Sequence, residues 1–417
     1  MDSLVAALLA LTLLVSPPYS LGPLRDLVLR IEGGGGITLF DLAVAISALA
    51  MTLRHGITVN RVESKVYLGL LLVVLSRVIS VLSSDVASIG MAFSVFKYVE
   101  CILIVFVCSK CLRDSFARRL FLRILLVGTV VECLSGMALW LEFAERGIFL
   151  STTNLRFEGL FICVVALSSL AGRWTLWRIA VFSTLLGGIT ASQTRSAAIV
   201  AALSVALGVV AMRGVKRWRI VAMAVILSVV IGGVVVYLPS LTGGMTSRMQ
   251  NLTNTESGTT SVRLSLWARA VGIFLSHPLT GVGSGAFARL DPSDIDGAVQ
   301  IPFSLAPEPS AAEAGLGTHS VLSGVLAETG ILGLLAYLFW WFSAIRVCHR
   351  SLRTGPDADD QTVIVAVSCF CLISLFSDAV YAGSFEYSVM CLLGLLMGRQ
   401  ALSKPIGMSL RSSKALI

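Results

Sequence analysis

Charge is what this chain has least of: Asp, Glu, Lys and Arg make up 13% of its residues against 56% that are hydrophobic, and mean hydropathy is +0.88. That deficit excludes an ordinary water-solvated domain, in which about a quarter of residues carry charge. Proline is scarce as well, at 11 residues, and sparse inside the apolar runs. This weighs against an inverted-repeat transporter built on broken helices, as does the lack of any visible long internal repeat. The nine cysteines (101, 108, 111, 133, 163, 348, 369, 371, 391) all fall in apolar runs or in segments predicted to face inward, which leaves no pair for an external disulfide. Cys369 and Cys371 have neither His nor carboxylate beside them, so no metal site is expected.

What is abundant is apolar sequence in bilayer-sized lengths. Runs at 4–21, 37–53, 66–82, 88–108, 120–141, 159–172, 178–193, 196–212, 220–238, 320–345, 362–381 and 385–398 predict an all-α polytopic membrane protein of about twelve transmembrane helices. The first run lacks a basic leader and a small-residue cleavage site and is read as a retained span. Lys and Arg crowd alternate connections, as at Arg54, Arg61 and Lys65, at Lys110, Arg113, Arg118 and Arg119, and at Arg213, Lys216, Arg217 and Arg219. By the positive-inside rule both termini are expected in the cytoplasm. The net charge of +8 is absorbed by this bias, so no nucleic-acid partner is expected. The organisation expected is therefore N-terminal membrane helices over 1–238 (about nine spans), an external loop module over 239–319, and C-terminal helices (about three spans) with a cytoplasmic tail over 320–417.

Within the loop module a helix is predicted to begin after Thr260 or Ser261, either of which can cap it, and to stop before Pro278. At 100° per residue Val262, Leu266, Trp267, Ala270, Val271, Ile273 and Phe274 share one arc, with Ser265, Arg269 and Gly272 opposite. Arg269 therefore reads as a solvated arginine. Arg263 falls inside the apolar arc, either as a snorkelling side chain or as a cation aimed at an anionic group at the membrane surface. Arg195 stands in the short polar turn Gln193-Thr194-Arg195-Ser196; a helix N-terminus beside a guanidinium makes a phosphate cradle, while a lone arginine in a turn also serves topology alone. His319, at the mouth of the run 320–345, is the one histidine predicted to lie outside at the start of a span. It is suited to take a proton from a hydroxyl, or simply to hydrogen-bond at a helix end.

Gly281-Val282-Gly283-Ser284-Gly285 follows no strand and is read as a tight turn, not a nucleotide loop. Glu328 lies about 180° around the helix from His319, so a structural hydrogen bond is its expected role. Lys97 and Glu100, three apart, are expected to pair on one helix, and Arg77, Arg123, Glu132 and Asp378 to pair between helices. Intramembrane carboxylates such as Glu132 and Glu328 also sustain a rival reading, a flippase or proton-coupled transporter.

Taken in order, Arg263-Leu-Ser-Leu-Trp267, then His277-Pro-Leu-Thr-Gly281-Val-Gly283-Ser-Gly285-Ala-Phe287, then His319-Ser-Val-Leu, then Leu326-Ala-Glu328-Thr-Gly330-Ile-Leu-Gly333 resemble the O-antigen ligase and polymerase superfamily of bacterial envelope proteins. The resemblance covers Gln193 to Tyr337, with hydropathy alone beyond; where the family pattern has Asn after the histidine, this chain has Ser320. The resemblance implies a GT-C-like fold in the bacterial inner membrane and a metal-independent, inverting glycosyltransferase without cofactor. Its donor would be a glycan on undecaprenyl pyrophosphate at the outer face. Its acceptor would be a lipid A core sugar in a ligase, or the end of another lipid-linked repeat in an O-antigen or exopolysaccharide polymerase. Carried over residue by residue, Arg195 and Arg263 would hold the pyrophosphate, His319 would activate the acceptor hydroxyl, and Trp267, Gly281, Gly283 and Glu328 would support the site.

Overall fold

The computed structural model describes residues 1–15, 29–31, 35–37, 39–59, 63–84, 89–143, 259–287, 290, 320–353, 358–373 and 384–402, with scattered positions from 177 to 188. Helices occupy the predicted apolar runs in these stretches, and α6 the predicted loop-module helix: α1 (Asp2–Val15), α2 (Leu39–His55), α3 (Glu63–Leu82), α4 (Ile89–Cys111) and α5 (Ser115–Phe143), then α6 (Thr259–Ser276), α7 (Val321–Arg353), α8 (Ala358–Ile373) and α9 (Ser384–Leu402). Three of the described helices are long and apolar enough to cross a membrane: Glu63–Leu82, Met91–Cys111 and Val321–Arg353. The predicted runs at 159–172, 196–212 and 220–238, and most of 178–193, lie outside the described residues. One small element was not anticipated by the all-helical reading. Strands β1 (Leu29–Ile31) and β2 (Gly35–Ile37) form an antiparallel ribbon, Arg30 opposite Gly36, in the connection between α1 and α2.

Local chemistry sets the helix ends. Asp114 precedes α5, and its carboxylate accepts the Ala117 amide at 2.7 Å, the side-chain N-cap that an unpaired first-turn N–H requires. Ser320 precedes α7 in the same way, its Oγ accepting from the Ser323 amide at 3.5 Å.

α7 lies along α3, α9 along α4, and α1 along α5, with α2 and α3 also on α4 and α8 joining α7 to α9. The α3–α7 approach is close because Gly69 faces Trp340: a Cβ there would stand 2.8 Å from the Trp340 Cα. Tyr337, Trp340, Phe40, Met51 and Phe121 fill the centre. Leu53, Leu68, Leu71, Leu335 and Phe342 point outward, an apolar belt that suits hydrocarbon and not water. At one end of the bundle Arg54 pairs with Asp2 at 3.0 Å, Arg113 with Glu63 at 3.5 Å and Arg399 with Asp360 at 2.7 Å. This is the end that the Lys and Arg bias predicts to be cytoplasmic. The α3–α4 connection, α6 and the start of α7 gather at the other.

Candidate functional site

The organising feature of that second end is a break in α7. Gly330 leaves helical conformation (φ 61°, ψ −158°) in the middle of an otherwise continuous apolar helix. In an unbroken helix the Ile331 and Leu332 amides would donate to the carbonyls of Ala327 and Glu328, four residues back. Here the segment that follows α6 supplies the partners. The amides of Val282 and Gly283 donate to the carbonyls of Ala327 (3.1 Å) and Glu328 (3.0 Å), while Ile331 and Leu332 donate to the carbonyls of Pro278 (2.9 Å) and Leu279 (3.4 Å). Residues 278–283 are thus spliced into the helix, taking up donors and acceptors that would be costly to leave bare in an apolar setting. The glycines are there for access. A Cβ on Gly281 would lie 2.3 Å from the Glu328 carbonyl carbon, and one on Gly330 would lie 2.5 Å from that of Leu279. The expectation of a simple tight turn is accordingly corrected: the turn is a backbone insert.

Three hydroxyls and one guanidinium secure the insert. Ser84 Oγ donates to the Val282 carbonyl at 2.7 Å, Ser80 Oγ donates to the Glu328 carbonyl, and Ser94 Oγ bonds Ser284 Oγ. Arg77, 1% exposed, reaches from α3 into their midst. Its Nη1 donates to Ser284 Oγ at 2.5 Å and lies 3.5 Å from Glu328 Oε2. Its Nη2 donates to the Tyr98 hydroxyl at 2.8 Å, with the guanidinium carbon 3.9 Å from the centre of that ring. One buried cation therefore touches α4, the insert and α7 together. The pairing of Arg77 between helices is as the sequence predicts. Ser284 and Tyr98 carried no sequence signal of their own.

A second polar cluster ties α2, α4 and α9. Lys97 contacts both carboxylate oxygens of Asp41 at 2.6 and 2.7 Å and Glu100 Oε2 at 3.4 Å, and Tyr387 donates to that same Glu100 oxygen at 2.6 Å. The expected Lys97–Glu100 pair is present, joined by an acid from another helix. Arg123, by contrast, is exposed on α5. The Glu132 side chain and Asp378 lie outside the described residues.

The reading of Arg269 as a solvated arginine is corrected by α6. Ser265 and Arg269, assigned to a solvated arc, are buried along with Leu266, Ala270 and Ile273. Arg269 donates to the Leu290 carbonyl and stacks over Phe287, 5.0 Å from the ring centre. The outward side carries half-buried Trp267, Val271 and Phe274 and exposed Leu275. The physical reason is the solvent. A helix lying at a membrane can turn apolar side chains outward to lipid and its polar strip inward to protein partners, the reverse of a helix on a soluble protein. The Trp267 indole N–H is enclosed and makes no hydrogen bond among the described residues.

Of the residues singled out from sequence, Gly281, Gly283 and Glu328 meet at the break in α7, and Trp267 sits on α6, which packs on α7. Arg263 is in the first turns of α6, but its side chain lies outside the described residues, as do Arg195 and His319. Ser320, next to His319, is the N-cap of α7.

Residues 179–338 match the family model described as O-antigen ligase, a match that supports the O-antigen ligase and polymerase superfamily. No curated protein matches the chain.

Proposed function

From an O-antigen ligase segment carried by a membrane protein, we propose that this protein is a membrane glycosyltransferase of the ligase or polymerase type. It would move a glycan from undecaprenyl pyrophosphate to an acceptor hydroxyl at the outer face of the bacterial inner membrane. The observation that carries this reading is the match of residues 179–338, a stretch that includes Arg195, Arg263 and His319 in its sequence and helices α6 and the first part of α7, which pack on one another. The membrane parts 1–238 and 320–417 would frame an external module, 239–319, that presents α6.

In this reaction the acceptor oxygen attacks the anomeric carbon from the face opposite the pyrophosphate, so configuration inverts as the bond to the phosphate oxygen breaks. His319 takes the hydroxyl proton. Arg195 and Arg263 hold the charge that gathers on the departing lipid pyrophosphate; as planar, permanently charged donors they match phosphate oxygens without a metal ion. Each such contact at a partly dehydrated site contributes on the order of 2 to 4 kcal/mol to lowering the barrier.

Glycan analysis of a deletion strain complemented with wild type or His319→Ala tests the reading. Expected from the deletion is loss of the mature envelope glycan. Long lipid-linked chains left unattached indicate a ligase, and single repeats a polymerase. A normal glycan ladder from His319→Ala at wild-type abundance would remove His319 as the base. The rival, a flippase or proton-coupled transporter, needs an available intramembrane carboxylate, whereas Glu328 is held against Arg77. Loss of product on collapsing the proton gradient in membrane vesicles already supplied with outward-facing donor would favour that rival.

A further inference from the structure

α7 is two helices in one. Between its outer piece, 321–329, and the long inner piece, the backbone groups of Ala327, Glu328, Ile331 and Leu332 bond to the inserted segment 278–283. The orientation of the outer piece is therefore set by whatever holds the insert. The backbone bonds tie the insert to both pieces but would still let the outer piece swing about the break. Arg77 prevents that, because its guanidinium engages Ser284 of the insert and Glu328 of the outer piece while anchored on α3 and braced by Tyr98 of α4. A buried guanidinium with several fixed partners, in a low-dielectric setting, holds direction as well as distance.

We propose that Arg77 is a positioning residue: it latches the 278–285 segment into the break of α7 and so fixes the outer piece of that helix, at whose mouth His319 stands, relative to α6. The proposal rests on the glycosyl-transfer reading for the purpose of the latch, but not for its existence. Arg77 lies far outside the segment 179–338, so the membrane helices that precede the matched segment are active in setting its geometry. The hydroxyls of Ser80 on α3, Ser84 two residues past its end and Ser94 early in α4 serve the same latch from the other side.

The full-length protein in lipid nanodiscs supplies the test, with Arg77→Lys and the milder Ser284→Ala compared with wild type. Lysine keeps the charge opposite Glu328 but loses the fork that reaches Ser284 and Tyr98 together. Backbone hydrogen exchange of 278–285 and 321–332 is expected to quicken about tenfold, the local opening that follows loss of a charge-assisted hydrogen bond, with α1, α2 and α9 unchanged. Unchanged exchange at the insert, or equal loosening throughout the protein, overturns the latch.

Turnover is then measured with the lipid-linked glycan that accumulates in the deletion strain as donor. Because Arg195 and Arg263 are not on α7, kcat should fall by about tenfold or more while KM for the donor stays near wild type. Faster exchange with normal kcat overturns the positioning role. The exchange readout needs no product, so it judges the latch even where the deletion strain keeps its mature envelope glycan, a result that would sink the transfer reading alone.

Discussion

A Cβ placed on Gly281 would stand 2.3 Å from the carbonyl carbon of Glu328. Two backbones meet there with no side chain between them, and the hydrogen bonds that repair the break in α7 exist because of that contact. Gly281 also holds φ at +66°, a conformation that side chains with a Cβ resist.

Gly281→Ala should therefore destabilise the protein by about 1 to 3 kcal/mol or more, through strain and loss of the insert. Gly272→Ala in α6 is the control. A Cβ there meets nothing within 4 Å, and alanine favours a helix by up to about 1 kcal/mol. Thermal unfolding in detergent should separate the two in opposite directions; equal effects would mean that the insert is not docked on α7.

Arg269→Ala is expected to lower folded protein, not to be neutral as an exposed arginine would be. It removes a charged donor from the Leu290 carbonyl and a cation from the Phe287 ring, worth about 1.5 to 3 kcal/mol together. Arg123→Ala, on the exposed face of α5, should change stability by less than about 0.5 kcal/mol. Membrane-protein abundance and unfolding temperature read both.

Lys97→Met would strand the Asp41 and Glu100 carboxylates in the bundle, at a cost of about 3 kcal/mol or more. Adding Asp41→Asn should recover part of that loss, since one stranded charge is removed. A double variant less stable than Lys97→Met by the full effect of Asp41→Asn alone would show the residues to be independent.

Arg263→Lys should depress glycan product nearly as far as Arg263→Ala, because an ammonium lacks the planar fork that grips two phosphate oxygens. Abundance should stay at the wild-type level. Full activity with lysine would indicate that any positive charge at the membrane surface suffices.

The helices were legible because hydropathy acts locally: from 39–55 through 384–402 each described helix except α6 falls on an apolar run of matching position, and α6 on the predicted amphipathic segment. The Lys97–Glu100 pair was legible too, as a spacing along one helix. Which way α6 turns was not. A helical wheel separates Ser265 and Arg269 from Val271 and Phe274, but it does not say which arc meets protein and which meets lipid. The wheel is the same in either solvent; the partners at Phe287 and Leu290 decide. Arg77 was visible as a charge in an apolar run, yet its contacts lie on other helices and in the insert.

By itself, then, the amino-acid order determined where the chain is helical, that its outer surface suits lipid, and which segment resembles an O-antigen ligase. Those properties are sums over neighbouring residues, and neighbours along the chain are known without folding it. Tertiary structure alone decided that α7 breaks at Gly330, that residues 278–283 complete its hydrogen bonds, and that Arg77 binds both pieces. Each of those depends on backbone groups far apart in sequence satisfying one another where water is absent, and no local pattern records which distant partner will arrive.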